Sequence, residues 1–554
     1  MTTTFFERHR ATLDTALQAI AERGYWSPYS ESPSPRVYGE TAADDGKTAY
    51  DAHLNRPFEI DQAGTVGGAG IGNEVSPYGP ALGITYPKTD VDQLLQGVAA
   101  AGATWRKAGP EVWTGVALEI VARLNARSFE IAHAVMHTTG QAYMMAFQAG
   151  GPHAQDRAVE AIAYAWQETS RIPAGAHWEK PQGKHDPLKM QKSFRIVPRG
   201  IGLVIGCCTF PTWNSYPGLF ADLATGNAVI VKPHPGAILP LAITVEIARA
   251  VIAEAGYHPD VVTLVAHEAG DKVATELALR PEIKLIDFTG SAANGNWLER
   301  NAVQAQVFTE KSGVNQIIID STADFKGMAR NIAFSLVLYS GQMCTTPQNI
   351  YIPKDGIATA EGHVSFDAVV AAIGEAINKL TGDPAKAVEL LGAIQNTAVL
   401  DRIEAARKIG DVVLDSTSLQ HPQFPEARIR TPLLVKAADG KAVTEEFFGP
   451  ISFAIATDST AAGIALAEKT VREHGALSLS AYTTSAAVKQ ALGEAAADAG
   501  VALSLNLTGG VFVNQSAAFS DYHGTGANPA ANAALADSAF VAGRFRVVQT
   551  REPV

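Results

Sequence analysis

"GNAVIVKP", residues 226–233, is a short aliphatic run between a glycine turn and a proline. It is too short for a helix and apolar on both faces, so it reads as a buried strand of a parallel sheet. Lys232 stands at its C-terminal end, where open α/β sheets bind ligands. The same texture continues outward. "SFRIVPRGIGLVIGC" (193–207) reads as strand, turn, strand. Downstream, a helix is expected over 237–256, a strand at "DVVTLVA" (260–266), a helix over 270–280 and a strand at "IKLIDF" (283–288). Strands alternating with helices at this spacing predict βαβ units and an open α/β sheet. A second alternation spans about 309–505, with strands at "NQIIID", "QNIYIP", "ISFAIAT" and "ALSLSAYT".

Upstream, residues 4–23 carry a helical pattern, 24–40 read as an extended loop rich in Pro and Ser, and 41–87 as loops around "GGAGIG". From Asp90 to about Arg171 the apolar spacing is helical, with Thr89 as the candidate cap. The chain of 554 residues is long enough for two or three domains. Its net charge of −12 argues against a nucleic-acid partner, which needs clustered cations. Three cysteines cannot build a disulfide framework, so a reducing, cytoplasmic setting is expected. The first residues lack the basic start and apolar core of a signal peptide, and no apolar run is long enough to cross a bilayer. No membrane partner and no metal are expected.

Four features are candidates for chemistry. In "FTGSAANG" (288–295) Gly290 permits a tight strand-to-helix turn and Ser291 can cap the helix, so backbone N–H groups can face a pyrophosphate. Lys232 is placed to meet ribose or phosphate. Glu310, in "VFTEKSGVN", follows apolar residues and is a candidate general base if burial raises its pKa. Cys344, in "YSGQMCTTPQNI" (339–350), is a candidate nucleophile. Cys207 and Cys208, ending an apolar strand, read as small buried thiols. Taken singly, each feature also has an ordinary structural reading.

Together with "ATGNAVIVKP" and "EEFFGP" (445–450), these motifs resemble the aldehyde dehydrogenase family over roughly residues 90–530. The 34-residue separation of Glu310 and Cys344 is the one usual in that family. The resemblance implies that Cys344 attacks an aldehyde, a nicotinamide accepts the hydride, and Glu310 activates water against the resulting thioester. Gly290, Ser291 and Gly295 would then line the cofactor, and Glu446 and Phe448 would hold the nicotinamide ribose and ring. Three departures stand out. Thr209 occupies the place of the family's oxyanion asparagine, 23 residues before Lys232, with Asn214 close by as a substitute donor. "EKSGV" rewrites the turn after the acid. Pro235 stands where a ribose-binding glutamate is usual, which together with Lys232 and His234 favours NADP, or tolerance of it beside NAD.

The resemblance implies an aldehyde-dehydrogenase-like α/β fold: an open Rossmann-type cofactor domain, an α/β catalytic domain and a small β oligomerisation element. The expected divisions are an N-terminal extension (1–88), an NAD(P)-binding domain (89–308) with an oligomerisation strand near 189–197, a catalytic domain (309–508) and a C-terminal segment (509–554) with a second such strand. Homodimers or homotetramers follow from that. The extension and "SDYHGTGANPAAN" (520–532) are similar to the PaaN subgroup of bacterial phenylacetate-degradation proteins, which implies a CoA-linked semialdehyde as substrate. Two rival readings are a CoA-acylating dehydrogenase and a degenerate dehydrogenase acting as a binding subunit.

Overall fold

The computed structural model describes residues 4–441 and 443–554. Five parallel strands form a first sheet in the order 262–264, 228–232, 201–205, 283–289, 306–310. Its central strand, Ile201–Ile205, is wholly buried, as an aliphatic run covered on both faces must be. The chain first winds from it to one side, through Ala228–Lys232, and then returns to the other side through Ile283–Thr289. This reversal creates a crevice at the C-terminal strand ends. Lys232 and Phe288 are both level with Ile205, and Glu310 is level with Thr289.

A second sheet of seven strands runs 410–414, 433–437, 451–457, 349–353, 316–319, 478–482, 502–505. All its pairings are parallel except that of Gly410–Leu414 with Leu433–Ala437. Strand Gln306–Glu310, which straddles the expected division at 308/309, pairs within the first sheet. A third, antiparallel sheet joins Phe545–Pro553, His185–Pro198 and Gly175–Gln182. It contains the stretch expected near 189–197.

Helices Pro211–Ala224 and Leu239–Glu254 pack on the first sheet, and Pro110–Ala126 and Pro152–Ser170 pack on those helices in turn. The N-terminal helices Phe5–Arg8 and Arg10–Glu22 lie on this layer, with Arg8 and His9 both paired to Glu119. No helix among the described residues is long and apolar enough to cross a membrane.

The structure differs from the sequence reading in three places. Thr89 ends strand Tyr86–Thr89, and Asp90 caps the following helix by accepting from Gln93 N at 2.9 Å. Residues 41–87, expected as loops, contain helix Ala42–Asp51 and strand Thr65–Ile71. Gly46 hid that helix, but it is what lets the helix press on Phe129: a Cβ there would lie 2.3 Å from the Phe129 Cβ. Short helix Pro35–Tyr38 interrupts the extended loop.

One ion cluster ties the third sheet to the first. Arg544 is fully buried and bonds Asp222 at 2.7 Å and both oxygens of Asp287 at 2.8 and 2.6 Å. Its guanidinium lies 4.3 and 4.2 Å from the Phe308 and Phe540 ring centres. Burial, only partly offset by Arg544, pushes Asp222 up to about 7. Removing the one cation would strand two buried carboxylates. Arg544→Ala is therefore expected to destabilise the fold by about 3–5 kcal/mol, read by chemical denaturation. A loss under 1 kcal/mol would mean that the cluster is solvated.

Candidate active site

Three segments converge at the C-terminal edge of the first sheet. The first is the end of strand Gln306–Glu310, which delivers Glu310. The second is the turn before strand Asn349–Pro353. There Tyr339, Ser340 and Gly341 all adopt left-handed backbone, with φ of 52°, 48° and 63°. Such a conformation is costly for Tyr and Ser. It is held by Ser340 Oγ donating to the carbonyls of Leu391 and Arg430, and Cys344 follows it. The third is the segment 520–535, which crosses beside Glu310: Lys311 N donates to Ala530 O and Asn532 N to Thr309 O. It brings in His523, after which Gly524, at φ 72°, turns the chain.

The three side chains meet. His523 Nε2 lies 3.2 Å from Glu310 Oε2 and 3.8 Å from Cys344 Sγ. Asn214 Nδ2 donates to the same Glu310 Oε2 at 3.0 Å, while its Oδ1 accepts from the Cys207 thiol at 3.6 Å. Glu310 Oε1 is buried and has no hydrogen-bond partner among the described residues. The residue borders a small cavity shared with Asn214, Asp287 and Thr309. The ligand atoms of Glu310, Cys344 and His523 lie within 4.8 Å of one another. A small ion would fit that spacing, but it would compete for the lone pairs already engaged in hydrogen bonds.

Electrostatics corrects one expectation. Burial alone would raise Glu310, as anticipated. The charge of His523 and hydrogen bonds from His523 and Cys344 outweigh it, so Glu310 lies below the usual carboxylate range. Cys344 moves the other way, pushed well up by burial and by the adjacent Glu310 charge. Burial likewise raises Cys207 to about 11 and Cys208 to about 12, as inert thiols require.

Thr209 is placed differently from the expectation. Its hydroxyl and N–H point at Cys207, and its carbonyl accepts from Gln141 Nε2 at 2.8 Å. Asn214, in the first turn of helix Pro211–Ala224, is the side chain that reaches the Glu310–Cys344 pair.

The expected cofactor residues gather around the crevice. Lys232 is buried, has no carboxylate partner among the described residues, and is lowered to about 8 by burial alone. Ser291 caps helix Ala292–Asn301 by accepting from Asn294 N. Gly290 does not need left-handed backbone. Its missing Cβ makes room for the Phe288 ring, as that of Gly295 does for the Lys311 stem. Glu446 and Phe448 border a small cleft with Gly313 and Met343. Glu446 bonds Ser312 and Gly313 N. The expected positive charge on His234 is absent: burial lowers it to about 4, and its Nδ1 accepts from Gly236 N. Pro235 sits in that turn. The carboxylate that closes over the following helix is Glu74 of the extension, and both its oxygens are taken, by Ile238 N and Leu239 N and by the Tyr86 hydroxyl. A buried unpaired ammonium, a capped helix N-terminus and an acid at the cleft wall form a set that fits a nicotinamide dinucleotide.

Sequence reasoning missed His523 and its supports. Arg157 donates to Ser516, Asp521 and Leu535 carbonyls and so fastens the segment. Arg23 of the extension donates to Ser520 O and lies 3.9 Å from the Tyr522 ring centre. The only signal was the histidine within "SDYHGTGANPAAN", quoted for its resemblance alone.

Residues 84–523 match the aldehyde dehydrogenase family, and the chain belongs to it. The crystal structure of an NAD-dependent aldehyde dehydrogenase from Burkholderia multivorans is 67% identical, with each chain covered over 100% and a TM-score of 0.98. A Thermus 1-pyrroline-5-carboxylate dehydrogenase with bound NAD is 20% identical, covering 96% of this chain and 99% of its own, at a TM-score of 0.74, a likeness of fold. The 1-pyrroline-5-carboxylate dehydrogenase of Bacillus cytotoxicus is 24% identical over 63% of this chain and 65% of its own length.

Because Asn214, not Thr209, contacts Glu310, Asn214→Ala should lower aldehyde turnover by about two orders of magnitude, comparable to loss of a fixed active-site donor. Thr209→Ala should cost under tenfold. The reverse ranking in steady-state kinetics would put the active donor at Thr209.

Proposed function

We propose that this chain oxidises an aldehyde to a carboxylic acid through a Cys344 thioester. The observation that carries the reading is the meeting of Cys344, on the turn before a strand of the second sheet, with Glu310, at the end of a strand of the first, within 4.8 Å, with one carboxylate oxygen left unbonded among the described residues. A bound nicotinamide would supply the hydride acceptor. Lys232, Ser291 and Glu446 would hold the dinucleotide, with Phe448 against its nicotinamide end. Cys344 Sγ adds to the carbonyl carbon, and the developing oxyanion needs a donor; Asn214 and the Cys344 backbone N–H are assigned that task. Once the thioester forms, Glu310 Oε1 accepts a proton from water as the water attacks. The tetrahedral adduct then collapses, the C–S bond breaks and the acid leaves. The low pKa of Glu310 keeps it ionised and able to accept.

The cofactor assigned is NAD. A neutral His234 removes one of the charges that favoured a 2′-phosphate, and the Burkholderia multivorans relative is described as NAD-dependent. Lys232 leaves room for some use of NADP. The substrate class assigned is a semialdehyde carried on coenzyme A, supported by the resemblance of the extension and of 520–532 to the PaaN subgroup. A homodimer or homotetramer formed through the third sheet, and a cytoplasmic setting, complete the reading.

Cys344→Ala should abolish oxidation while dinucleotide binding persists. Glu310→Gln should give a burst of reduced cofactor followed by slow turnover, because acylation outruns hydrolysis. Unchanged steady-state turnover in Glu310→Gln, or a product that forms only when CoA is added, would overturn the hydrolytic step. Catalytic efficiency should be higher with NAD than with NADP across a panel of free and CoA-linked aldehydes.

A further inference from the structure

The pocket holds a thiol that must ionise beside a carboxylate that is already ionised. Burial and that carboxylate both hold Cys344 in its neutral form. A buried thiol of this kind is inert unless a cation or a proton acceptor adjoins it. Two anions a few ångströms apart in a desolvated site repel strongly, so one positive charge between them decides whether the site can carry both.

His523 is the group in that position. Its Nε2 reaches Glu310 Oε2 at 3.2 Å and Cys344 Sγ at 3.8 Å, and the residue is 4% exposed. Trp213 packs edge-on against the imidazole at 4.6 Å between ring centres and shields it from water. The other titratable or charged groups facing this trio are few. Cys207 lies beyond Asn214 and stays a thiol. Glu446, on the cleft wall, adds negative charge near Cys344. Arg157 is the next cation, but its guanidinium lies behind Trp213, 5.2 Å from that ring's centre, and is engaged by Glu160 and by carbonyl oxygens.

We infer that His523 is a third catalytic residue, the base that takes the Cys344 proton and whose imidazolium then holds the thiolate beside ionised Glu310. The inference rests on the thioester reading above. In the ionisation the S–H bond breaks and an imidazole protonated on Nδ1 gains a second proton on Nε2, so no proton leaves the site, and the imidazolium so formed is the charge that lowers Glu310. The Nε2–H then lies between Oε2 and Sγ, and Nδ1 carries the other proton. When the adduct later collapses, the imidazole returns a proton to the departing thiolate. The proton taken from water remains on Glu310 and leaves to solvent, which is the one proton released when the product departs as the neutral acid; a second follows when that acid ionises in water. Asn214 keeps Glu310 in place in both states, so the carboxylate does not depend on His523 alone.

The test is the pH dependence of Cys344 alkylation by iodoacetamide in the full chain, followed by mass spectrometry of the peptide containing Cys344. Wild-type protein should be alkylated at and below neutral pH. His523→Gln can still donate to Glu310 but cannot take a proton. It should shift the alkylation midpoint upward by at least about one pH unit, a loss of about tenfold or more in rate at neutral pH. Aldehyde turnover should fall in parallel, while hydrolysis of a preformed acyl-enzyme should fall less. An unchanged alkylation midpoint in a variant that still binds NAD would overturn the inference. Should His523→Gln fail to bind NAD, the thiolate absorbance of wild type minus Cys344→Ala decides instead: absorbance below neutrality supports the ion pair, and absorbance appearing only in alkali overturns it. Turnover by Cys344→Ala would refute the thioester reading separately, because the alkylation profile still reports what His523 does to Cys344.

Discussion

The Asn315 side chain is the constraint on which the site depends. Its Nδ2 donates to the carbonyls of Cys344 and Thr346 at 2.7 and 3.1 Å. Its Oδ1 accepts from the N–H groups of Leu477 and Ser478 at 2.9 and 3.0 Å. The strained turn carrying Cys344 is thereby fixed to the edge of the second sheet. Five residues earlier stands Glu310, the last residue of a strand in the first sheet. That short span limits how far carboxylate and nucleophile can part, since an extended chain covers about 3.3–3.6 Å per residue. Buried groups with four satisfied bonds also resist rearrangement, because each lost partner leaves an unpaired polar atom at a cost of about 1–3 kcal/mol.

Around that hinge the polar groups form a line. The Cys207 thiol donates to Asn214, Asn214 to Glu310, and Glu310 shares His523 with Cys344. Asn214, Gly218 and Asp222 repeat every four residues and so share one face of helix Pro211–Ala224. Gly218 lies against the Asp287 carboxylate, where a Cβ would come within 2.4 Å of its Cγ. The helix thus joins the reactive trio to the Arg544 cluster through one buried polar stripe. Such stripes persist only when their members are matched, and the exceptions are informative. Glu310 Oε1 has no hydrogen-bond partner among the described residues.

The sequence disclosed most of the two sheets, because buried parallel strands are aliphatic runs punctuated by glycine and proline. The family resemblance singled out Glu310 and Cys344, and the fold brings the two side chains together. The sequence hid helix Ala42–Asp51, whose glycine and aspartates suppress the apolar stripe, and strand Thr65–Ile71, whose glycines carry no alternation. His523 was illegible for a different reason. It lies 179 residues from Cys344, in a Gly-, Ala- and Asn-rich stretch with no period, and only the three-dimensional route of that stretch past Glu310 gives it chemistry. The pKa of Glu310 was misjudged because burial is visible in an apolar run whereas a distant histidine is not. Thr209 and Asn214 could not be ranked from sequence, since helix Pro211–Ala224 determines which of them points inward.

The Arg544 cluster also has a bearing on how the molecule is made. Asp222 and Asp287 are synthesised long before their counter-ion, which follows them by 322 and 257 residues. Until Arg544 emerges from the ribosome, the first sheet and the helix Pro211–Ala224 that covers it carry two acids that cannot be buried without protonating them or leaving them wet. Close packing of this layer would then wait for Arg544, although the second sheet, whose last strand ends at Leu505, is already synthesised. The order of assembly would run against the order of synthesis, with the earliest strands the last to lock.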